Sequence, residues 1–218
     1  MFRPVMTAAA AAALLATSSP ATATGWPGDG VPPPDKIVID VVAVNGSGCP
    51  AGTAIVTVSP DNTAFTVSYS NYVAQVGVGS KPTDFRKNCQ LALNVHVPHG
   101  FTYAIAQADY RGFAHLEKGA TGLERANYYF QGMSQTAFVN HHFTGALNDN
   151  WQTSDTTPID QVIYAPCGAT RYFNINTELR VDAGTSDPSK TTSFLAMDST
   201  DGNISTLYHF SWKPCPKT

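Results

Sequence analysis

The sequence predicts an all-β fold, an antiparallel β-sandwich or a related barrel, held by two disulfides. Three observations predict it. Nearly every segment after Lys36 alternates apolar and polar residues with period two, each run is bounded by Gly, Pro, Asn or Asp, and no long stretch places apolar residues at helical spacing. Many short strands with frequent turns belong to sandwiches and barrels. Charged residues make up 13% of the chain, against roughly 25% in an average domain. With Thr, Ser, Asn, Tyr and Gly plentiful, this suits an extracellular β protein.

Taken from the amino end, residues 1–23 have the three parts of a secretory signal: Arg3, an apolar run from Val5 to Ala16, and the small residues Ala21-Thr22-Ala23 at the cleavage point. The apolar run, about 12 residues, is too short to span a bilayer, which needs roughly 20. No later run is longer, so the expected mature chain is secreted, extracellular and not inserted in a membrane. Its loss of Arg3 leaves 12 basic and 16 acidic side chains, a formal charge of −4. That weakly acidic balance, without a basic run, lacks the footprint of a nucleic-acid binder. Residues 24–35, "TGWPGDGVPPPD", are dense in Gly and Pro and read as a stiff, exposed leader. Residues 36–218 then form a single β domain.

Four cysteines, Cys49, Cys89, Cys167 and Cys215, read in an oxidising compartment as two disulfides. Three connectivities are open; the simplest is sequential, Cys49–Cys89 and Cys167–Cys215. No CxxC spacing supports redox or zinc chemistry.

The strand runs follow in order: "TAIVTVSP", "TAFTVSYS" and "CQLALNVHVP". "VGVGSKPT" between them lacks the Gly-Lys step of a phosphate loop. In "ADYRGFAHLEKGATGLERANYYFQG", Gly119 and Gly122 mark a turn, and the flanking runs read as a hairpin. The register that keeps faces unmixed pairs Glu117 with Arg125, His115 with Asn127, Phe113 with Tyr129 and Arg111 with Gln131. It also lays Tyr128 and Phe130 across Ala114 and Gly112. "FVNHHFTG" is a further strand, on which His141 shares a face with Val139 and Phe143 while His142 points the other way. In "TRYFNINTELRVDA", Phe173, Ile175, Leu179 and Val181 line one face, with Thr177 the exception. Last, "SFLAMDS" and "NISTLYHFSW" flank Asp201-Gly202, a step that favours a tight hairpin turn.

Several of these motifs resemble a known family. "DYRGFAHLEKG", "RKNCQLALNVHVPHGF", "APCG", "NINT" and "DSTDG" followed by "YHFSW" are similar to the secreted family catalogued as domain of unknown function 4360, which has bacterial and fungal members. The likeness runs from about Cys49 to Cys215. It implies an exported all-β domain with its four cysteines paired, and it brings no activity and no catalytic residues.

The candidate chemistry is sparse. Adjacent histidines on opposite faces of a strand cannot bind one ion, so His141 reads as a hydrogen-bonded core histidine and His142 as a surface one. His96 and His99 of "HVPH" lack a third ligand nearby. Asp198, Asp201 and Asn203 lack the spacing of a calcium loop. No metal or cofactor is therefore expected. Glycoside hydrolysis needs two carboxylates roughly 5 to 9 Å apart, and Glu117 and Glu124 bracket one loop. The Glu117–Arg125 pairing argues against their catalytic use, and no nucleophile elbow is present. Asn45 and Asn203 open glycosylation sequons.

The strongest feature is the polar face of the central hairpin, where Asp109, Arg111, Phe113, His115 and Glu117 share a surface with Arg125, Asn127, Tyr129 and Gln131. Rings that stack on a pyranose, interleaved with side chains that read its hydroxyls, are what sugar recognition uses. Tyr172, Asn174, Asn176 and Glu178 form a weaker face of the same character. The expected function is a non-catalytic binding module for a polysaccharide or cell-surface component. The alternatives are a secreted hydrolase built on Glu117 and Glu124, or a structural, envelope-associated or inhibitory protein.

Overall fold

A computed structural model describes residues 30–134, 138–158, 161–197 and 205–216. The expected signal segment 1–23, the expected leader as far as residue 29, the expected turn at Asp201-Gly202 and the Asn203 sequon lie outside the described residues. Among the described residues the chain forms β1 (Val38–Asn45), β2 (Ala54–Val58), β3 (Ala64–Tyr69), β4 (Val73–Gly77), β5 (Arg86–His96), β6 (Phe101–Leu116), β7 (Thr121–Phe130), β8 (Val139–Thr144), β9 (Leu147–Thr156), β10 (Phe173–Asp182), β11 (Thr192–Ala196) and β12 (Thr206–Pro214). Among these residues no helix is long and apolar enough to cross a membrane.

The strands make two antiparallel sheets without closing a barrel. The five-stranded sheet runs β1-β5-β10-β7-β8, and the seven-stranded sheet runs β2-β3-β12-β6-β11-β4 with β9 on the other edge of β6. Alternation puts one side of each strand between the sheets. On β10 the inward side chains are Phe173, Ile175, Leu179 and Val181, as the periodicity predicts. Thr177 falls inward with them and hydrogen-bonds the Tyr72 hydroxyl at 3.1 Å, which satisfies the one polar group in that row. Opposite, Tyr103, Tyr208, Phe210 and Trp212 supply an aromatic core whose rings meet edge-on or tilted, Tyr103 lying 5.3 Å from Phe130 and 5.5 Å from Phe210. The disulfides are Cys49–Cys89 and Cys167–Cys215, the sequential pairing.

Two local expectations fail for one reason. β6 and β7 are not a hairpin: β6 pairs with β9, β11 and β12, and β7 with β8 and β10. The chain turns at Glu117–Ala120, with a 2.9 Å bond from Ala120 N to Glu117 O, and crosses from one sheet to the other. The predicted faces are right, since Tyr110, Ala114 and Leu116 point inward from β6 and Ala126 and Phe130 from β7. The partners are wrong: Arg125 lies opposite Glu178, not Glu117. Likewise β11 and β12, flanking Asp201-Gly202, do not pair with each other. They follow one another along one edge of β6, β12 on Phe101–Asp109 and β11 on Phe113–His115. Alternation dictates which side of a strand is buried; it carries no information about which strand supplies the ladder hydrogen bonds.

Of the proline-rich segment, residues 30–35 run against the domain rather than standing clear of it. Pro33 is buried, and Asn62 Nδ2 donates to the carbonyls of Pro33 and Asp35 at 3.0 and 2.8 Å.

Candidate functional site on the outer face of the seven-stranded sheet

The crossing between sheets divides the nine residues expected to share one surface. Asp109, Arg111, Phe113 and His115 lie on the outer side of the seven-stranded sheet, with Glu117 just beyond the end of β6, its carboxylate 3.5 Å from His115 Nε2. Arg125, Asn127 and Tyr129 lie on the outer side of the five-stranded sheet, and Gln131 falls in the turn after β7. The two groups face away from each other and cannot grip one ligand.

What β6 loses from β7 it gains from its true neighbours. Gln75, Phe194, His115 and Asn148 stand opposite one another across β4, β11, β6 and β9. The next row is Val73, Ala196, Phe113 and Asn150, and then Arg111 faces Gln152. Side chains on one face of adjacent strands approach closely enough to interact. Phe194 accordingly lies near-parallel to both Phe113 (centroids 6.0 Å apart, 28° between planes) and His115 (5.6 Å, 28°). The His115 Nδ1 sits 2.9 Å from Asn148 Oδ1. The result is three rings on an open sheet, bordered by the amides of Gln75, Asn148, Asn150 and Gln152.

Further along the same face, the Asp109 carboxylate gathers three partners. His209 Nε2 lies at 2.9 Å, the Ser154 hydroxyl at 2.5 Å and Gln107 Nε2 at 2.8 Å. Burial alone would raise the Asp109 pKa, but the bonds from Ser154, His209 and Gln107 outweigh it and hold the carboxyl below its usual range. Serine, histidine and aspartate meet here, yet both the hydroxyl and the imidazole are bonded to the carboxylate. A nucleophilic triad needs the serine on the imidazole, so this arrangement fixes side chains and does not activate one.

The five-stranded sheet carries a second polar face. Asn127, Asn176, Gln90 and Asn45 form one row across β7, β10, β5 and β1. Beside it Glu178 accepts from Arg86, from Arg180 and, at 3.2 Å, from Arg125. Burial raises this carboxyl and the three guanidiniums more than compensate, holding it below the ordinary value. Tyr129 and Asn174 lie alongside in register. The face is more charged than its counterpart, and among the described residues it carries no row of stacked rings.

Glu117 and Glu124 do not converge. Glu117 is partly exposed on the outside, whereas the Glu124 side chain is fully buried between the sheets. The histidine pair resolves as expected: His141 is part-buried and bonded to Asp155 at 2.7 Å, and His142 is exposed. His96 is paired with Asp40 at 2.7 Å. Among the described residues no group of three or more His, Cys, Asp or Glu is arranged to hold a metal ion.

Phe194, Asn148, Asn150, Gln152, Ser154 and His209 are the face residues that sequence reasoning missed. The outward placement of Asn148, Asn150, Gln152 and Ser154 was readable from the alternation of "LNDNWQTS"; the adjacency of β9 to β6 was not, because it depends on pairing across more than thirty positions of chain.

Comparison with known proteins follows the same lines. A family model described as "Domain of unknown function (DUF4360)" matches residues 35–215. A relative from Arthroderma benhamiae, described as an uncharacterized secreted protein, is 35% identical over 188 residues, 86% of this chain and 76% of the relative. Among solved structures, the enzymatically active domain of bacteriophage CBA120 tailspike protein 4 aligns with 82% of this chain at 11% identity and a TM-score of 0.26. This chain spans 19% of that one, and so distant a likeness carries no argument about fold or function.

Proposed function

We propose that this chain, which belongs to the family described as domain of unknown function (DUF4360), is a non-catalytic binding module for a glycan or a cell-surface component, acting outside the cell after removal of a leader near Ala23. Export is supported by a relative named as secreted and by two disulfides of the kind an oxidising compartment sustains. Binding is supported by one observation above the rest, the Phe113–Phe194–His115 ring row bordered by amides on an open sheet face. Rings of this kind offer an apolar surface to the C–H face of a pyranose, and amides offer paired donors and acceptors to its hydroxyls. Such sites need no cofactor.

The test is retention of residues 24–218 on chitin, cellulose, peptidoglycan and β-glucan. Phe113→Ala with Phe194→Ala is expected to abolish retention on the matrix that holds the wild type, with the fold checked by thermal melting. Tyr129→Ala, on the opposite face, is expected to leave it intact. Retention by neither protein, or equal loss in both variants, would exclude this face as the site.

A further inference from the structure

Two carboxylates from opposite sheets reach one imidazole. Glu124 on β7 stands directly opposite His141 on β8, both pointing into the sandwich. Asp155 enters from β9, across the interior. Its Oδ1 lies 2.7 Å from His141 Nε2, and its Oδ2 accepts from the hydroxyls of Tyr110 and Tyr128 at 3.2 and 3.1 Å. Glu124 Oε2 is 3.9 Å from the same nitrogen, and neither Glu124 oxygen has a hydrogen-bond partner. One carboxylate is thus fully bonded and the other, fully buried, is not.

The groups facing Glu124 offer it no counter-charge beyond that imidazole. Asp155 repels it. Tyr69 on β3 and Tyr208 on β12 lie near it without donating to it, and the Tyr72 hydroxyl, ahead of β4, is occupied by Thr177. The adjacent Arg125 points to the outer face and binds Glu178. Burial first, and the Asp155 charge second, push the Glu124 carboxyl well above the usual range.

We propose that Glu124, His141 and Asp155 form a proton-operated latch on the β8–β9 edge: with Glu124 protonated the edge stays seated, and when its proton passes to water the edge lifts. Among the described residues β8 pairs only with β7, and β9 only with β6, so each is held from one side. An ionised Glu124 would share one imidazole with Asp155 in a buried place where neither of its oxygens accepts a hydrogen bond, and solvation relieves this. Water reaches the cluster most directly past His141, whose side chain is 20% exposed where the other members are nearly or fully covered. β9 also carries Asn148, Asn150 and Gln152 outward, so lifting it disperses the amide border of the ring row; that consequence rests on the binding reading above.

The experiment is hydrogen exchange of the full chain, read as protection factors over residues 139–156 at about pH 5 and about pH 9, for the wild type and Glu124→Gln. The wild type is expected to lose roughly tenfold or more in protection at the higher pH while the neutral amide variant holds its own. Constant protection in the wild type, or an equal fall in both, overturns the latch. Because the sequence holds only three glutamates, Glu117, Glu124 and Glu178, carbon-13 glutamate labelling of the wild type gives a readout that needs no variant. One carboxyl is expected to titrate far above the other two; three ordinary titrations overturn the proposal even if Glu124→Gln does not fold. Neither measurement uses a glycan. Failure of the latch leaves the binding reading standing, and failure of the matrix assay leaves the latch standing.

Discussion

Trp151 fills the space in which a side chain at Gly112 would stand. A Cβ built on Gly112 would overlap the indole ring on one side and the backbone carbonyl of Ala196 on the other. The glycine in "DYRGFAHL" is therefore set by close approach, and the aromatic ring that covers it comes from β9, not from β7. Gly112→Ala is expected to destabilise the fold by about 3 kcal/mol, the upper end of overpacking costs, as read from urea unfolding. Trp151→Phe should not rescue it, because the carbonyl of Ala196 still blocks the site.

The two disulfides differ in burial, and so in their response to reductant. Cys49 and Cys89 are buried in the core, while Cys167 is exposed and Cys215 half-buried. Under mild dithiothreitol, alkylation and mass spectrometry should find Cys167 and Cys215 labelled first. Each bridge closes a separation of 40 or 48 residues, worth roughly 4 kcal/mol in the chain-entropy model. Replacing Cys49 and Cys89 by alanine should cost more than the same change at the outer pair, since it also removes sulfur from the core.

Glu178 binds acid sensitivity to the five-stranded sheet. Its carboxyl is held below the ordinary value in the folded state, so it binds fewer protons there than in the unfolded chain. The stability it contributes is present above the usual carboxylate range and is lost as pH falls through its lowered folded value. Asp109 acts in the same direction. Glu178→Gln should flatten the acid limb of a melting-temperature profile and cost about 2 kcal/mol near neutral pH, less than for a fully buried pair, because Arg86 and Arg180 are half-exposed and screened. An unchanged acid limb would show the arginine cluster to be energetically idle.

Asn62 fastens the amino-terminal segment. It holds a left-handed backbone at φ 58°, its Oδ1 accepts from Ile37 N at 3.2 Å, and its carbonyl accepts from Trp212 Nε1 at 2.9 Å. Asn62→Ala loses the side-chain bonds and strains the backbone, whereas Asn62→Gly loses only the bonds. The alanine variant should therefore be the less stable by about 1 kcal/mol. Proteolysis should open residues 30–37 in both.

Parity was legible at almost every strand. His141 inward with His142 outward, the four apolar side chains of β10, and Arg111, Phe113 and His115 on one side of β6 all follow from a period of two. The candidate site was legible only by half. Phe113 and His115 stood out as rings among polar neighbours, but Phe194, which stacks on both, sits in "SFLAM", a run that reads as plain core. Glu124 stands beside a glycine turn, where a carboxylate ordinarily meets solvent, and the chain's crossing between sheets carries it into the interior instead.

Sequence alone determined the all-β class, the inward face of most strands and the number of disulfides, because each rests on local composition or on a repeat of two residues. Tertiary structure alone decided which strands pair. The turn at Glu117–Ala120 is compatible with a hairpin or with a crossing between sheets, and the difference comes from ladders that β6 makes with β9 and β12, and β7 with β10, far away in the chain. That choice divided one expected surface into two, placed Phe194 beside Phe113, and buried Glu124 beside Asp155. Local alternation says how each strand lies; only the competition among distant backbones for hydrogen-bond partners says beside what.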